Sequence, residues 1–399
     1  MSTMTIRRRL RLTATATALL LALVACGGGD DASSTASEDE SASEDASATE
    51  EDSASEDESA SEDASAAEGS GEGLIWVGLP DTASSARWED FDRPAFEAAF
   101  DEAGLVADTD YIIANAEGDP QNQQTQAEQA LTQGATVIVL TNLDSGSGAA
   151  IHEAAKAAGA AVIDYDRLTL DGQADFYVSF DNTRVGELQG ETLVQCVEDA
   201  GIEEPNFVML RGSPDDNNAT LFGEGADSVL TPLESEGWTR VDDQAVPDWD
   251  NAEAQTIFEQ MLTGANNEID AVLAANDGLG NAAIVAAQAQ GLTDIQVTGQ
   301  DATPQGLQNI ALGTQCMTVY KSVNEEAAAA AEAAIALRNG EEVEADETVD
   351  NGTADVPSLL LDPVAITAEN LSDPIDDGFV ALEDVCTGDV AETEFCTSQ

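Results

Sequence analysis

Positive charge is what this chain most lacks. Its 399 residues carry 13 Lys and Arg against 79 Asp and Glu, a formal net charge of −66. That balance excludes nucleic acid and an anionic membrane surface as partners, since both are recognised through basic patches. Lys occurs twice, at Lys156 and Lys321, and His once, at His152. A lone His rules out His-paired nucleophiles and His-rich metal centres as a theme of the chain. Next to Glu153 on a predicted helix, it reads as a solvated surface residue. No Cys-x-x-Cys spacing points to zinc, so no metal and no cofactor are expected. Aromatic residues make up 5% of the chain, so each Trp is informative.

Four of the few basic residues, Arg7, Arg8, Arg9 and Arg11, precede an apolar run over residues 12–25. This has the form of an export signal and is too short for a comfortable membrane span. It ends Leu23-Val24-Ala25-Cys26-Gly27, which resembles the bacterial lipobox. The resemblance implies cleavage before Cys26, lipidation of its sulfur and an exported chain anchored to the outer face of the cell membrane. Residues 26–72 then form a tether. Past Cys26 it contains only Gly, Ser, Ala, Thr, Asp and Glu, with no apolar face. Such a segment is a self-repelling, solvated spacer that reaches about 35–40 Å even as a neutral coil.

From residue 74 onward, short apolar runs alternate with helical patterns. Strands are expected at 74–79, 111–114, 137–140 and 161–165, separated by helices at 94–103, 120–133 and 147–158, and the alternating run 175–180 that ends in Asp181-Asn182 reads as a further buried strand. A second series has strands at 206–210, 240–245, 271–275 and 295–298 with helices between them. Strand 317–320, helix 324–338 and an extended segment at 357–361 come after these. Repeating strand–helix units with apolar strands imply parallel sheets covered on both faces. The length exceeds a single core, so two α/β lobes are expected. Four cysteines lie beyond Cys26. Export favours disulfides. Of the three possible pairings, the simplest is a local Cys386–Cys396 bridge, which leaves Cys196 with Cys316.

Polar side chains gather just past the predicted strands. In open α/β sheets, ligands bind at that edge. Arg87-Trp88 follows the first strand and Asp166-Arg167 the fourth. Asn218, Trp249, Asn276 and Asp301 follow strands of the second series, and Lys321 follows strand 317–320. Carboxylates, amides and cations with aromatic faces suit a saccharide, which offers hydroxyls that donate and accept and C–H faces that stack.

Together these stretches resemble a known family. They are Tyr165-Asp166-Arg167, Phe180-Asp181-Asn182, Gly212-Ser213-Pro214-Asp215-Asp216-Asn217-Asn218-Ala219, Ala275-Asn276-Asp277-Gly278, Gly299-Gln300-Asp301-Ala302 and Met317-Thr318-Val319-Tyr320-Lys321. They are similar to the bacterial D-xylose-binding proteins of ABC importers, in the pentose/hexose cluster of type I periplasmic binding proteins. The resemblance covers about residues 74–380. It implies two Rossmann-like lobes with parallel sheets joined by a three-segment hinge near 179–183, 319–322 and 349–357. The lobes are then residues 73–181 with 319–350 and residues 182–318 with 351–399. It also implies sugar contacts at Arg87, Trp88, Asp166, Arg167, Asn218, Trp249, Asn276, Asp301 and Lys321. The implied partners are a monosaccharide and a membrane permease, with the chain itself a monomer. The loop before Trp249, Ala245-Val246-Pro247-Asp248, departs from the family's more aromatic version. Alternatives are another aldose, a sugar sensor, or an enzyme using Asp166 and Asp301 as acid and base. The enzyme is disfavoured because neighbouring cations lower a carboxyl's pKa.

Overall fold

The computed structural model describes residues 71–82 and 87–398. The export signal, Cys26 and the acidic tether lie outside these residues. In chain order the elements are β1 (Leu74–Leu79), α1 (Arg93–Glu102), β2 (Tyr111–Asn115), α2 (Pro120–Thr132), β3 (Ala135–Leu140), α3 (Ser145–Ala158), β4 (Ala161–Tyr165) and β5 (Phe176–Phe180). The second series is α4 (Asn182–Asp199), β6 (Asn206–Arg211), α5 (Asn217–Leu233), β7 (Thr239–Ala245), α6 (Asn251–Gly264), β8 (Ala271–Ala274), α7 (Asp277–Ala289), β9 (Gln296–Val297) and α8 (Pro304–Leu312). Then come β10 (Thr318–Tyr320), α9 (Val323–Arg338), β11 (Glu347–Asp350), β12 (Asp355–Leu361) and β13 (Val364–Ile366).

Two main sheets organise these elements, and β10 and β13 form a separate antiparallel pair. The first runs in the order β11-β12-β5-β4-β3-β1-β2, the second β7-β6-β8-β9. Apart from the β11–β12 hairpin, every pairing in both is parallel. The central strands are apolar because both faces are covered, whereas the edge strands β7 and β11 are polar and partly exposed. In the first lobe, α1 and α9 pack on one face, and α2 and α3 on the other. In the second, α6 and α7 cover one face, and α4 and α5 the other. Helices α4 and α5 cross at glycines: a Cβ on Gly186 would lie 1.9 Å from the Phe222 carbonyl oxygen, and one on Gly225 2.0 Å from that of Thr183.

The chain crosses between lobes three times. The first crossing follows β5, where Asp181 caps α4 by accepting from the Arg184 amide at 2.9 Å. The second follows β10. The third lies between β12 and β13, at Asp362 and Pro363, and not at 349–357 as expected. Strand β12 pairs in parallel with β5, Ser358 facing Tyr177 and Leu361 facing Phe180, so it still belongs to the first sheet. Asn351-Gly352 is a hairpin turn. The Asn351 side chain accepts from the amides of Thr353 and Ala354, and β11 folds back on β12. A polar hairpin turn and a crossover look alike in sequence, which accounts for the difference. The first lobe runs on to Leu361, and only the chain beyond Pro363 joins the second. Helix α8 and strands β11 and β13 have no counterpart among the expected elements.

His152 is also not the surface residue expected. It is fully buried: its Nδ1 accepts from the Gln173 amide at 3.0 Å and its Nε2 lies 3.1 Å from Asp164 Oδ1. Its neighbour Glu153 points outward, but the His face of α3 packs on the β4 side of the sheet.

Both disulfides are present: Cys196–Cys316 joins the end of α4 to the start of β10, and Cys386–Cys396 closes the tail. That tail packs on the second crossing, with the Phe379 ring tilted against those of Phe91 and Tyr320 at centroid distances of 4.5 and 5.2 Å. Constraining the unfolded chain is the main gain from a disulfide, and it grows with loop length. Replacing Cys196 and Cys316 together by Ala should therefore lower the unfolding free energy by about 3–5 kcal/mol. The same change at Cys386 and Cys396, ten residues apart rather than 120, should cost less. Urea denaturation of the two double variants measures the contrast.

Candidate functional site

All nine residues read from the sequence line one cavity of about 340 Å³ between the lobes. The first lobe contributes Arg87 and Trp88, from the turn before α1, and Asp166 and Arg167, from the end of β4. The second contributes Asn218 at the start of α5, Trp249 after β7, Asn276 at the cap of α7 and Asp301 after β9. Lys321 sits on the second crossing and reaches both sides. Its Nζ is 3.7 Å from Asp166 Oδ2 and 3.8 Å from Asp301 Oδ1.

The backbone is unusual where these side chains leave it. Asp166, Trp249 and Asp301 have φ of 60°, 54° and 92°. Asp tolerates the left-handed region, but for Trp it is an outlier held by its surroundings. Trp249 is held on three sides. Its Nε1 donates to Asp216 Oδ2 at 3.2 Å, and Phe222 meets it edge-on at 6.5 Å. Gly212 lets the ring lie against the backbone, since a Cβ there would come within 2.1 Å of it. Trp88, 2% exposed, lies under two guanidinium groups, with Arg87 Cζ 4.4 Å and Arg167 Cζ 5.4 Å from its ring centre.

The lobes touch directly across the cavity. Asn218 Nδ2 donates to the Asp166 carbonyl oxygen at 2.9 Å and to its carboxylate at 3.2 Å. Arg167 Nε lies 3.2 Å from Asp216 Oδ2. Arg167 is therefore not paired with its neighbour Asp166 at the surface but buried and turned to the opposite lobe. This is the closed arrangement of the cleft. Asp216 does three things at once: it pairs with Arg167, holds Trp249 and caps α5 through the Asn218 amide at 2.9 Å. It is absent from the nine residues expected from the sequence, as are Phe222 and Gln300, which also line the cavity. Ser-Pro-Asp-Asp-Asn-Asn marks Asp216 as a helix cap, and Phe222 follows Asn218 by one turn on the same face. No signal in the sequence singles out Gln300.

The electrostatics separate the two Asp residues. Burial pushes the Asp166 carboxyl up, but Arg87, Lys321 and Arg167 outweigh it and hold the carboxyl below its ordinary value. Asp301 behaves oppositely to expectation. Burial raises it, and Lys321 and Arg87 offset that only in part. Distance decides: Asp166 receives a 2.8 Å bond from Arg87, whereas the nearest cation to Asp301 is 3.8 Å away. Outside the cavity, the cleft opens into a space of about 780 Å³ where Asp81, Glu117 and Asp144 of the first lobe face Asp215 and Asp248 of the second. That mouth repels anions. Among the described residues, no group of three or more His, Cys, Asp or Glu is placed to hold a metal ion, and no helix is long and apolar enough to cross a membrane.

The periplasmic binding protein domain family matches residues 77–342. The chain belongs to this family. The D-xylose-binding periplasmic protein of Escherichia coli is 40% identical over 296 residues, covering 73% of this chain and 87% of its own length. Its Haemophilus influenzae counterpart is 38% identical over 313 residues, covering 77% and 91%. A carbohydrate transporter solute binding protein from Chloroflexus aurantiacus, solved in complex with D-glucose, superposes with a TM-score of 0.71 at 31% identity. It covers 78% of this chain and 97% of that one. The fold is that of a type I periplasmic binding protein.

Behind the cavity, Asp277 accepts from the Thr303 amide and hydroxyl and from Gln315, yet burial and the nearby Asp301 push its carboxyl up to about 7. A carboxyl raised on folding favours the folded state only while protonated. The stability it contributes is full below its unfolded pKa near 4 and lost as pH rises to about 7. Unfolding free energies of the wild type and Asp277→Asn should therefore diverge in the acid range. The wild type should lose up to about 4 kcal/mol relative to the variant between pH 4 and pH 7. Parallel denaturation curves at four or five pH values check this.

Proposed function

We propose that this chain is the solute-binding component of an ABC sugar importer and captures a neutral monosaccharide, D-xylose first among the candidates, between its two lobes. The observation that carries the reading is the composition of the cavity: donors and acceptors on every side and two indole rings. Arg87, Asp166, Arg167, Asn218, Asn276, Asp301 and Lys321 are the hydrogen-bonding set, and Trp88 and Trp249 the stacking faces. Charge-assisted hydrogen bonds contribute roughly 1.5–3 kcal/mol each when the partner would otherwise be left unsatisfied. The acidic mouth favours a neutral sugar over sugar acids and phosphates. The names of the E. coli and H. influenzae relatives favour xylose, whereas the C. aurantiacus structure holds D-glucose.

A ligand that touches both lobes binds the closed form better than the open one, and only that difference shifts the population. The closed form is then what a permease in the membrane meets. We propose further that the chain is an exported monomer held to the outer face of the membrane by a lipid on Cys26, with the acidic tether as spacer. It is a binder rather than an enzyme. Asp166, held ionised, is an acceptor for hydroxyls and not a general acid, and Asp301, though raised by burial, faces the Lys321 ammonium at 3.8 Å.

Calorimetric titration against xylose, arabinose, ribose and glucose tests this. Xylose should bind most tightly, with a change in Trp fluorescence on closure. No heat and no fluorescence change with any of the four sinks the sugar reading. Trp249→Ala should abolish binding while moving the melting temperature of the free protein by no more than a few degrees. Turnover of aryl xylosides would overturn the assignment as a binder.

A further inference from the structure

Arg87 is held by more carboxylates than a sugar contact needs. Its Nε donates to Asp92 Oδ2 at 3.0 Å, its Nη2 to Asp92 Oδ1 at 2.7 Å and to Glu326 Oε2 at 2.8 Å, and its Nη1 to Asp166 Oδ2 at 2.8 Å. Every one of these partners belongs to the first lobe. Asp92 and Glu326 are fully buried, at 0% exposure, and neither lines the cavity.

Asp92 reaches Arg87 because the backbone there is abnormal. Residues Trp88–Asp92 form a π-helical turn, closed by the Arg93 amide donating to the Trp88 carbonyl. In an α-helix, facing neighbours are three and four residues apart. Here the contact spans five, and the wider turn returns the carboxylate to the guanidinium. Single π-turns are rare and concentrate at functional sites. Asp92 is itself fixed, since its Oδ1 also accepts from the Tyr165 hydroxyl at 2.7 Å. Glu326 comes from the first turn of α9, directly after the crossing that carries Lys321.

As a device for stability this cluster is poor. Buried charge networks often match or fall below apolar packing, and Glu326 Oε1 is buried without a hydrogen-bond partner among the described residues. What the cluster supplies is direction. We propose that Asp92 and Glu326 are positioning residues that fix the plane of the Arg87 guanidinium, and through it the Asp166 carboxylate. The first lobe then presents a pre-set donor–acceptor pair to the sugar before the second lobe closes. This rests on the reading of the cleft as a sugar site. Burial, with Asp166 and Asp92 close by, pushes the Glu326 carboxyl up despite Arg87 and Lys321, and its Oε2 accepts from Nη2 at 2.8 Å. A Gln can do the same.

Three arms test it. In calorimetric titration with xylose, Glu326→Ala and Asp92→Ala should weaken binding roughly 10- to 100-fold, and Glu326→Gln by no more than about threefold. In an Arg87→Lys background, Glu326→Ala should cost less than about twofold more, because its effect runs through the guanidinium. In the ligand-free wild type, the Arg87 side-chain N–H signals should persist in NMR spectra at a pH where exchange has erased those of half-exposed Arg184. Full-strength binding by Glu326→Ala, or equal losses with and without Arg87, overturns the proposal. So does rapid exchange at Arg87, which needs no variant to fold and no sugar to bind. A wild type that binds no sugar at all overturns the function reading alone, and the exchange arm still judges the pre-set guanidinium.

Discussion

The buried pairing of Asp166 with Arg87 is the constraint on which the site depends. Taking a carboxylate and a guanidinium out of water costs several kcal/mol per ion, and only close, hydrogen-bonded geometry offsets it. The fold meets that demand with three cations around Asp166 and three carboxylates around Arg87. The consequence is a carboxylate kept ionised and aimed, at a strand end with left-handed backbone, where any rearrangement would expose an uncompensated charge. Residues further out serve the same pair. Tyr165 orients Asp92, Lys321 balances Asp166 from the crossing, and Asn218 of the opposite lobe approaches the same residue through its carbonyl.

Closure uses the same atoms. The second lobe does not bring a separate binding surface to a finished one. It docks Asn218 and Asp216 directly on Asp166 and Arg167. The groups that line the cavity are therefore also groups that hold the lobes together. Trp249 shows how the second lobe prepares for this. Its strained backbone, the bare Gly212 beneath it and the Asp216 acceptor at its edge leave the indole one position.

The hinge explains why the lobes interleave in sequence. Strand β12 completes the first sheet beside β5 before the chain leaves at Asp362-Pro363, so the first and third crossings run side by side. The Asp181 amide donates to the Leu361 carbonyl at 3.1 Å. The second crossing carries Lys321 and opens α9, and the tail with its disulfide packs against it. These segments are covalently continuous with the cavity lining, since Lys321 lies on one of them and Asp166 only one loop and one strand before another.

Much of this was legible in the sequence because it is local. Short apolar runs separated by helical periods determine parallel sheets covered on both faces, and strand ends determine where polar residues collect. Hence the nine cavity residues could be named from their positions after strands. The scarcity of Lys made Lys321 conspicuous, and two remaining cysteines fell to each other once the tail pair was assigned. Tertiary structure alone decided what depends on distant or non-local geometry. Asn351-Gly352 could mark a crossover or a hairpin, and only pairing with β5 made it a hairpin. His152 looked solvated beside Glu153 until packing turned it toward Asp164. The opposite pKa shifts of Asp166 and Asp301 depend on about one ångström of distance to a cation. The link from Arg87 to Glu326 joins residues 239 positions apart. Periodicity carries no information about such pairs, because burial and charge compensation exist only once the lobes are folded.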